Sequence, residues 1–136
     1  MVPILAAISA APVMVDAQRR DSIRDGVYSE RQAARGEASY KAACASCHGP
    51  EMAGIGQTPP LAGSEFTSEW AGQSLGELFE RMQTTMPADR PGKLTRAENT
   101  DILAYMLRFN KFPAGTADLP SDAAALKQIQ FESAKQ

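Results

Sequence analysis

The sequence is poor in residues that bind metals, with two cysteines and one histidine in 136 residues. It also has no excess of basic residues, because 14 Lys and Arg are balanced by 16 Asp and Glu, and this argues against a nucleic-acid-binding protein that relies on a basic surface. The length leaves no room for a second sizeable core, which excludes a barrel enzyme or a two-domain dehydrogenase. The composition, 43% hydrophobic and 22% charged, predicts a compact domain whose partners are proteins or small molecules.

The sequence also lacks an uninterrupted run of the ~20 apolar residues that a membrane-spanning helix needs. The uncharged run of residues 2–15 is shorter, and Pro3 and Pro12 interrupt it. Small residues follow at the positions that a signal peptidase recognises, so residues 1–17 are predicted to be a secretory signal that is removed on export. The usual positive start of such a signal is missing, since the first basic residue is Arg19. Retention of the segment as an anchor is the alternative.

Apolar residues recur at helical spacing in several parts of the chain, and we find neither the alternating pattern of strands nor an internal repeat. Helices are predicted over residues 30–43 and 75–82, from the capping box Thr95–Glu98 to Phe109, and, as a short helix, from 122 to about 131. The predicted inner faces are Ala33, Gly36, Tyr40 and Ala43, then Leu75, Leu78, Phe79 and Met82, then Ile102, Tyr105, Met106 and Phe109.

Residues 18–29 form a polar lead-in, and residues 49–72 have the Gly- and Pro-rich composition of a long loop. A loop of that length in a small domain usually has a function, and this loop could enclose a cofactor. These features predict an all-α fold with long loops.

Both cysteines and the histidine occur together, as Cys44-Ala45-Ser46-Cys47-His48. This spacing is the attachment signature of c-type haem, because both sulfurs can bond the vinyl groups on one porphyrin edge while the imidazole reaches the iron. A redox-active dithiol would need a βαβ context, and a zinc site would need a second pair of Cys or His; the sequence has neither. The motif predicts one covalently bound haem c, with His48 as the proximal ligand.

A histidine that ligates a metal usually donates its other ring N–H to a nearby acceptor. Pro59 follows His48 by eleven residues, in a loop that can double back and present a backbone carbonyl. The alternative is that this proline only stiffens the loop, and spacing alone does not decide between the two.

The second axial ligand cannot be another histidine of this chain, and a methionine thioether is the leading candidate. Met52 is very close to the attachment motif, and Met106 lies on a predicted core face. Met82 fits the apolar stripe of its helix, whereas Met86 precedes Pro87 in a predicted turn, where a thioether can be aimed at a metal. We favour Met86 and keep Met82 as the alternative. Such a ligand raises the reduction potential, because a soft thioether favours ferrous iron.

Over roughly residues 30–112 the chain resembles class I c-type cytochromes. The matching features are the attachment motif, Gly36 and Tyr40 in the first helix, Pro59, Leu61 and Gly63 as Pro-x-Leu-x-Gly, Met86 with Pro87, and Tyr105 in the last helix. The resemblance implies three to five helices around one haem, Pro59 as the acceptor for His48, and Tyr40, Leu61 and Tyr105 in the haem pocket or in a helix contact. It also aligns Trp70 with residues that bond a haem propionate, with the pocket wall as its alternative role.

Residues 84–92 and 110–115, together with the C-terminal extension, are similar to bacterial monohaem cytochromes found beside quinoprotein alcohol dehydrogenases. Together with the predicted export signal and the two expected axial ligands, this similarity implies a periplasmic electron carrier, a monomer and not an enzyme, that passes electrons from such a dehydrogenase towards a terminal oxidase. The alternatives are a haem sensor or peroxidase with an open coordination position, and a cytochrome subunit permanently attached to a dehydrogenase.

Two other features have alternative roles. Residues 113–136 extend past a minimal cytochrome and either strap across the body or form a partner surface. Several basic residues either steer an acidic partner to an exposed haem edge or form an ordinary solvated surface. These are Lys41, Arg81, Arg90, Lys93 and Arg96.

Overall fold

The structure, a computed structural model, describes residues 21–132, so the signal predicted at residues 1–17 lies outside the described residues. The predicted all-α fold is confirmed. Between residues 21 and 132 the elements are β1 Asp21–Ser22, α1 Glu30–Ala43, α2 Ala45–His48, α3 Gly63–Trp70, α4 Leu75–Thr85, α5 Arg96–Phe109, α6 Ala123–Leu126 and β2 Ile129–Gln130. Four of the six helices in this range are longer than a single turn, within the three to five that the resemblance implies, and α2 and α6 are single turns. None of them combines the length and hydropathy needed to cross a bilayer.

Helices α1 and α5 cross in close contact at Gly36. A Cβ at this position would lie 1.7 Å from the backbone carbonyl oxygen of Asp101, so the crossing requires glycine. One turn further along α1, the rings of Tyr40 and Tyr105 pack with their centroids 5.5 Å apart. The predicted inner face of α1 is buried except at Ala43, which is half-buried beside the attachment motif. The crossing therefore fixes the helix that leads into the motif.

Capping boxes fix the starts of α4 and α5. The predicted box is confirmed: the Thr95 hydroxyl accepts from the Glu98 N–H at 3.2 Å, and the Glu98 carboxylate accepts from the Thr95 N–H at 2.7 Å. Ser74 and Glu77 form an unpredicted second box. Backbone and hydroxyl donors stabilise the charged form of both carboxylates and lower the pKa of Glu77 and of Glu98.

Helix α3 corrects the prediction of a continuous loop over residues 49–72. Its large apolar side chains, Phe66 and Trp70, lie one turn apart and are buried. These two residues show the helical spacing only once, which is too little to be recognised in a Gly- and Pro-rich sequence. The helix begins at Gly63 and forms one wall of the site described below.

Residues 113–132, which we call the C-terminal strap, run back across the helices to the start of the described chain. Strand β2 pairs in parallel with β1, with Ile129 opposite Asp21. The helix predicted from 122 to about 131 is wrong beyond Leu126, because the chain turns there to reach β1. Farther upstream, Gln32 of α1 holds the strap: its side-chain amide donates to the Leu119 carbonyl at 3.2 Å and accepts from the Leu119 N–H at 2.7 Å.

Replacing Gln32 by Met is expected to lower the free energy of unfolding by about 1–3 kcal/mol, because the buried backbone N–H and carbonyl of Leu119 lose their partners. Urea unfolding of the purified chain measures this loss. Gln73→Met is the control, because the Gln73 amide bonds the Glu69 carbonyl on the exposed surface, and we expect a change of less than about 0.5 kcal/mol there. Equal losses in the two variants would contradict an anchoring role for Gln32.

Candidate cofactor site

The attachment motif lies where α1 ends and α2 begins. The Cys44 N–H donates to the Tyr40 carbonyl at 2.8 Å and closes α1, and the single turn of α2 follows at once. The Cys44 side chain is half-buried and the Cys47 side chain is exposed. Both cysteines and His48 line the same cavity. The α1–α5 crossing therefore positions all three residues of the motif through one rigid helix.

The cavity has a volume of about 750 Å³, within the ~300–1,000 Å³ of pockets that bury cofactors and other small molecules. Much of its wall is apolar or aromatic. The contributing side chains include Leu61, Phe66, Trp70, Leu78, Leu94, Ile102 and Met106. Two thiols for attachment, an imidazole and several thioethers give the donor set with which haem c is bound. In size, lining and donors, the described residues fit this cofactor.

His48 is held from behind by the loop that contains Pro59. Its side chain is 8% exposed, and Nδ1 lies 2.9 Å from the Pro59 carbonyl oxygen. A carbonyl can only accept a hydrogen bond, so Nδ1 carries the proton. In the neutral ring Nε2 then keeps a free lone pair, which is the form that a metal-ligating histidine needs. This is the geometry expected of a proximal ligand with Pro59 as its acceptor.

Gly54 lets the loop fold back onto the motif. Its N–H donates to the His48 carbonyl at 2.9 Å. Its φ is +78°, and a Cβ would lie 2.3 Å from the Thr58 carbonyl oxygen, so a larger residue would displace the segment that carries Pro59. Gly54 was not predicted as a site residue, because one glycine among several in a loop gives no signal of a positive φ or of a close approach.

Two asparagines of the α5 region hold loops that border the cavity, and neither was predicted as a site residue. The Asn110 side chain donates to the Leu61 carbonyl at 3.0 Å and accepts from the Gly63 N–H at 3.0 Å. Asn99 is 1% exposed and donates to Gln83 Oε1 at 2.9 Å, and Gln83 donates to a carbonyl of the α4–α5 loop at 3.1 Å. Sequence patterns do not reveal such contacts, because each joins residues far apart in the chain.

Of the methionines between residues 21 and 132, Met82, Met86 and Met106 line the cavity. Met106 is 2% exposed in the core face of α5, and Met82 lies within the last turns of α4. Met86 is the residue at which the chain leaves α4: its N–H donates to the Met82 carbonyl at 3.1 Å, and its own backbone is extended. All three residues border the cavity, so Met86 as the second axial ligand stays a prediction, with Met82 as the alternative.

The aromatic residues singled out in the sequence occupy two places. Trp70 is 6% exposed and lines the cavity from α3, with the Arg81 guanidinium 5.7 Å from its ring centroid. Tyr40 and Tyr105 instead form the helix contact at the α1–α5 crossing. The Tyr40 hydroxyl donates to the Gly49 carbonyl at 2.7 Å, and burial raises the pKa of Tyr40 above its usual value. Trp70 thus forms part of the wall, and its bond to a propionate stays a prediction.

The surroundings of the motif argue against dithiol chemistry. Burial, and to a lesser degree the nearby Cys47, raise the pKa of the Cys44 thiol to about 11. A reactive dithiol needs a cysteine with a lowered pKa. Within the described part of the chain, moreover, no cluster of three or more His, Cys, Asp and Glu side chains could hold a metal ion. Attachment of a cofactor is the chemistry that the two cysteines fit best.

The basic residues considered as a docking patch are largely neutralised by acidic neighbours. Three of them form ion pairs, Lys41–Glu37 at 2.7 Å, Arg81–Glu69 at 3.8 Å and Arg90–Asp89 at 3.5 Å. Arg96 packs over the ring of Phe79, 5.2 Å from its centroid. Exposed pairs of this kind contribute little to stability. Their arrangement favours an ordinary solvated surface over a basic docking patch.

Comparison with known proteins shows what this chain is similar to. A family model described as cytochrome c oxidase, cbb3-type, subunit III, matches residues 31–106, more than half of the chain. A solved structure of the sulfane dehydrogenase SoxCD from Paracoccus pantotrophus contains a similar chain, with a TM-score of 0.53 and 20% identity, covering 93% of this chain and 67% of that one. At this identity the likeness concerns the fold. The search of curated proteins finds no match.

Proposed function

This chain belongs to the c-type cytochrome domains described as cytochrome c oxidase, cbb3-type, subunit III, and we propose that it is a one-electron carrier that uses His/Met-ligated haem c. Domains of this family transfer electrons. In the proposal Cys44 and Cys47 would hold the cofactor through thioether bonds, and His48 and Met86 would bind its iron. When bound, haem c supplies an iron that alternates between ferrous and ferric states. The observation that carries the proposal is the 2.9 Å contact between His48 Nδ1 and the Pro59 carbonyl at the wall of the cavity.

The protein's own groups give this site its properties. Pro59 holds His48 in the Nδ1–H tautomer, which orients the ring and increases the basicity of Nε2. The Met86 thioether favours the ferrous state and raises the reduction potential. Apolar walls such as Phe66 and Ile102 keep water away and lower the local dielectric constant, which raises the potential further. With His48 and Met86 both bound to the iron, no coordination position would be left for a substrate, which would suit an electron carrier.

The finer proposal concerns location and partners. Thioether attachment in bacteria is expected outside the cytoplasm, so we propose that residues 1–17 direct export and that the mature protein works in the periplasm. The similarity of residues 84–92 and 110–115 to cytochromes found beside quinoprotein alcohol dehydrogenases supports a donor of that type. A terminal oxidase is the proposed final acceptor, and the carrier is proposed to act as a monomer.

The test of this function is the optical spectrum of the chain expressed with the haem maturation machinery. We expect a c-type spectrum that changes between the oxidised and reduced forms and that carbon monoxide leaves unchanged. A shift on adding the gas would instead favour a sensor or a peroxidase with an open coordination position. The absence of haem bands would contradict the assignment as a whole.

The His48→Ala variant is expected to lose normal maturation, because the iron loses its proximal ligand. The yield of covalently bound haem should fall at least about tenfold, because the loss of a residue that only orients a metal ligand already weakens metal binding or activity by about 10–100-fold. The Ser46→Ala variant is the control within the motif, because Ser46 is exposed, and it should mature normally. A native spectrum from His48→Ala would refute proximal ligation.

A further inference from the structure

The end of the C-terminal strap is joined to the turn between α3 and α4 through Phe131. The Phe131 N–H donates to the Gln73 carbonyl at 2.8 Å, and the Phe131 carbonyl accepts from the Gly72 N–H at 3.0 Å. Its side chain is fully buried. The residue is therefore fixed at both its backbone and its ring, and the proposed function leaves it without a role.

The ring of Phe131 packs against the outer side of a cavity wall. It meets the ring of Phe66 edge to face, with centroids 5.7 Å apart and an interplanar angle of 88°. Phe66 is 2% exposed and lines the cavity from α3, as does Trp70 one turn later. Phe131 also contacts the ring of Phe112, with centroids 6.0 Å apart. The aromatic contact thus connects the strap to α3.

Helix α3 needs outside support to stay in place. It has eight residues, its N-cap residue, Ala62, makes no side-chain capping bond, and only the Asn110 side chain bonds the N–H of its first residue, Gly63. A helix of this length is marginal in water, so packing must supply most of its stability. Phe131 supplies packing at Phe66, and its backbone bonds hold the turn that follows Trp70.

We propose that Phe131 is a positioning residue: acting through Phe66, it holds α3 against the bound cofactor and keeps water out of the cavity. This inference rests on the proposed function as a haem c protein. Loss of the ring would let α3 relax outwards and admit water. A more polar surrounding favours the more highly charged ferric state, so the midpoint potential would fall.

The Phe131→Ala variant tests this in the haem-loaded chain. We expect a lower midpoint potential in a redox titration and brighter emission from Trp70, the single tryptophan, because its distance from the quenching haem increases. The control is Leu119→Ala, since Leu119 lies in the same strap, is 3% exposed and contacts α1 through Gln32. We expect it to lower the melting temperature without changing the potential or the emission.

The Phe131→Leu variant keeps an apolar side chain. It should change the midpoint potential and the Trp70 emission in the same directions as Phe131→Ala, but by less. It also replaces the alanine variant as the test if that variant does not fold. Unchanged potential and emission in the Phe131 variants, or an equal shift in Leu119→Ala, would overturn the positioning role and leave the proposed function intact. A wild-type chain without a haem c spectrum would overturn both.

Discussion

Replacing Met86 by Ala is expected to leave haem attached through Cys44 and Cys47 while removing one axial ligand. The reduction potential should fall on the order of 0.1 V, within the roughly 0.8 V range over which axial ligands set haem potentials. The reduced variant should also bind carbon monoxide, because the coordination position is then open. A redox titration and a carbon monoxide difference spectrum measure both effects.

Met82→Ala and Met106→Ala are the matched controls, since both side chains also line the cavity. Each removes an unbranched apolar side chain of the same size, so each should lower stability without opening the iron to carbon monoxide. An unchanged potential in Met86→Ala would refute its ligation. If Met82→Ala instead bound the gas, Met82 would be the ligand, and Met86 would have another role.

The Gly36→Ala variant is expected to lose about 3 kcal/mol or more of unfolding free energy, at the upper end of the cost of overpacking. The added Cβ would lie 1.7 Å from the backbone carbonyl oxygen of Asp101, and two helices would have to separate to make room. Helix propensity alone predicts the opposite sign, a gain of about 0.5–1 kcal/mol for alanine over glycine. Denaturant unfolding of the haem-loaded protein distinguishes the loss of stability expected from overpacking from the gain expected from helix propensity.

The control for this variant is Ala38→Gly on the exposed side of α1. It should lose only the roughly 1 kcal/mol that helix propensity gives. Because α1 leads into the attachment motif, we also expect Gly36→Ala to reduce the yield of haem-loaded protein. A stabilised Gly36→Ala variant would contradict the close helix crossing.

Helices α1 and α5 were predictable because their signals are local and repeated. The spacing of Gly36 and Tyr40 in α1, and the capping box of Thr95 and Glu98 at the start of α5, lie within single stretches of chain. Helix α3 was missed because only Phe66 and Trp70 show its period. The strap was predicted as one of two roles for its segment, but its pairing with β1 was not predicted, since two-residue strands have no pattern of their own.

The residues of the candidate site also fall into those that the sequence reveals and those that only the folded structure reveals. The attachment motif is recognisable without a fold, because the two cysteines and the histidine must be neighbours in the chain to reach one porphyrin edge and its iron. The residues that orient the site are not neighbours in sequence. Asn99 with Gln83, and Asn110 with Leu61, meet only after α4, α5 and the loops have packed.

By itself, therefore, the sequence determined the all-α class, the two long helices and the haem attachment motif, because each depends on contacts within a few residues. Only the tertiary structure decided that the Pro59 carbonyl meets His48 Nδ1, that Met82, Met86 and Met106 share one cavity, and that the ring of Phe131 contacts the ring of Phe66 in α3. These contacts depend on how loops close and how helices cross. A hydrogen bond or a ring contact between distant residues has no periodicity in the chain, so it becomes visible only when the chain is folded.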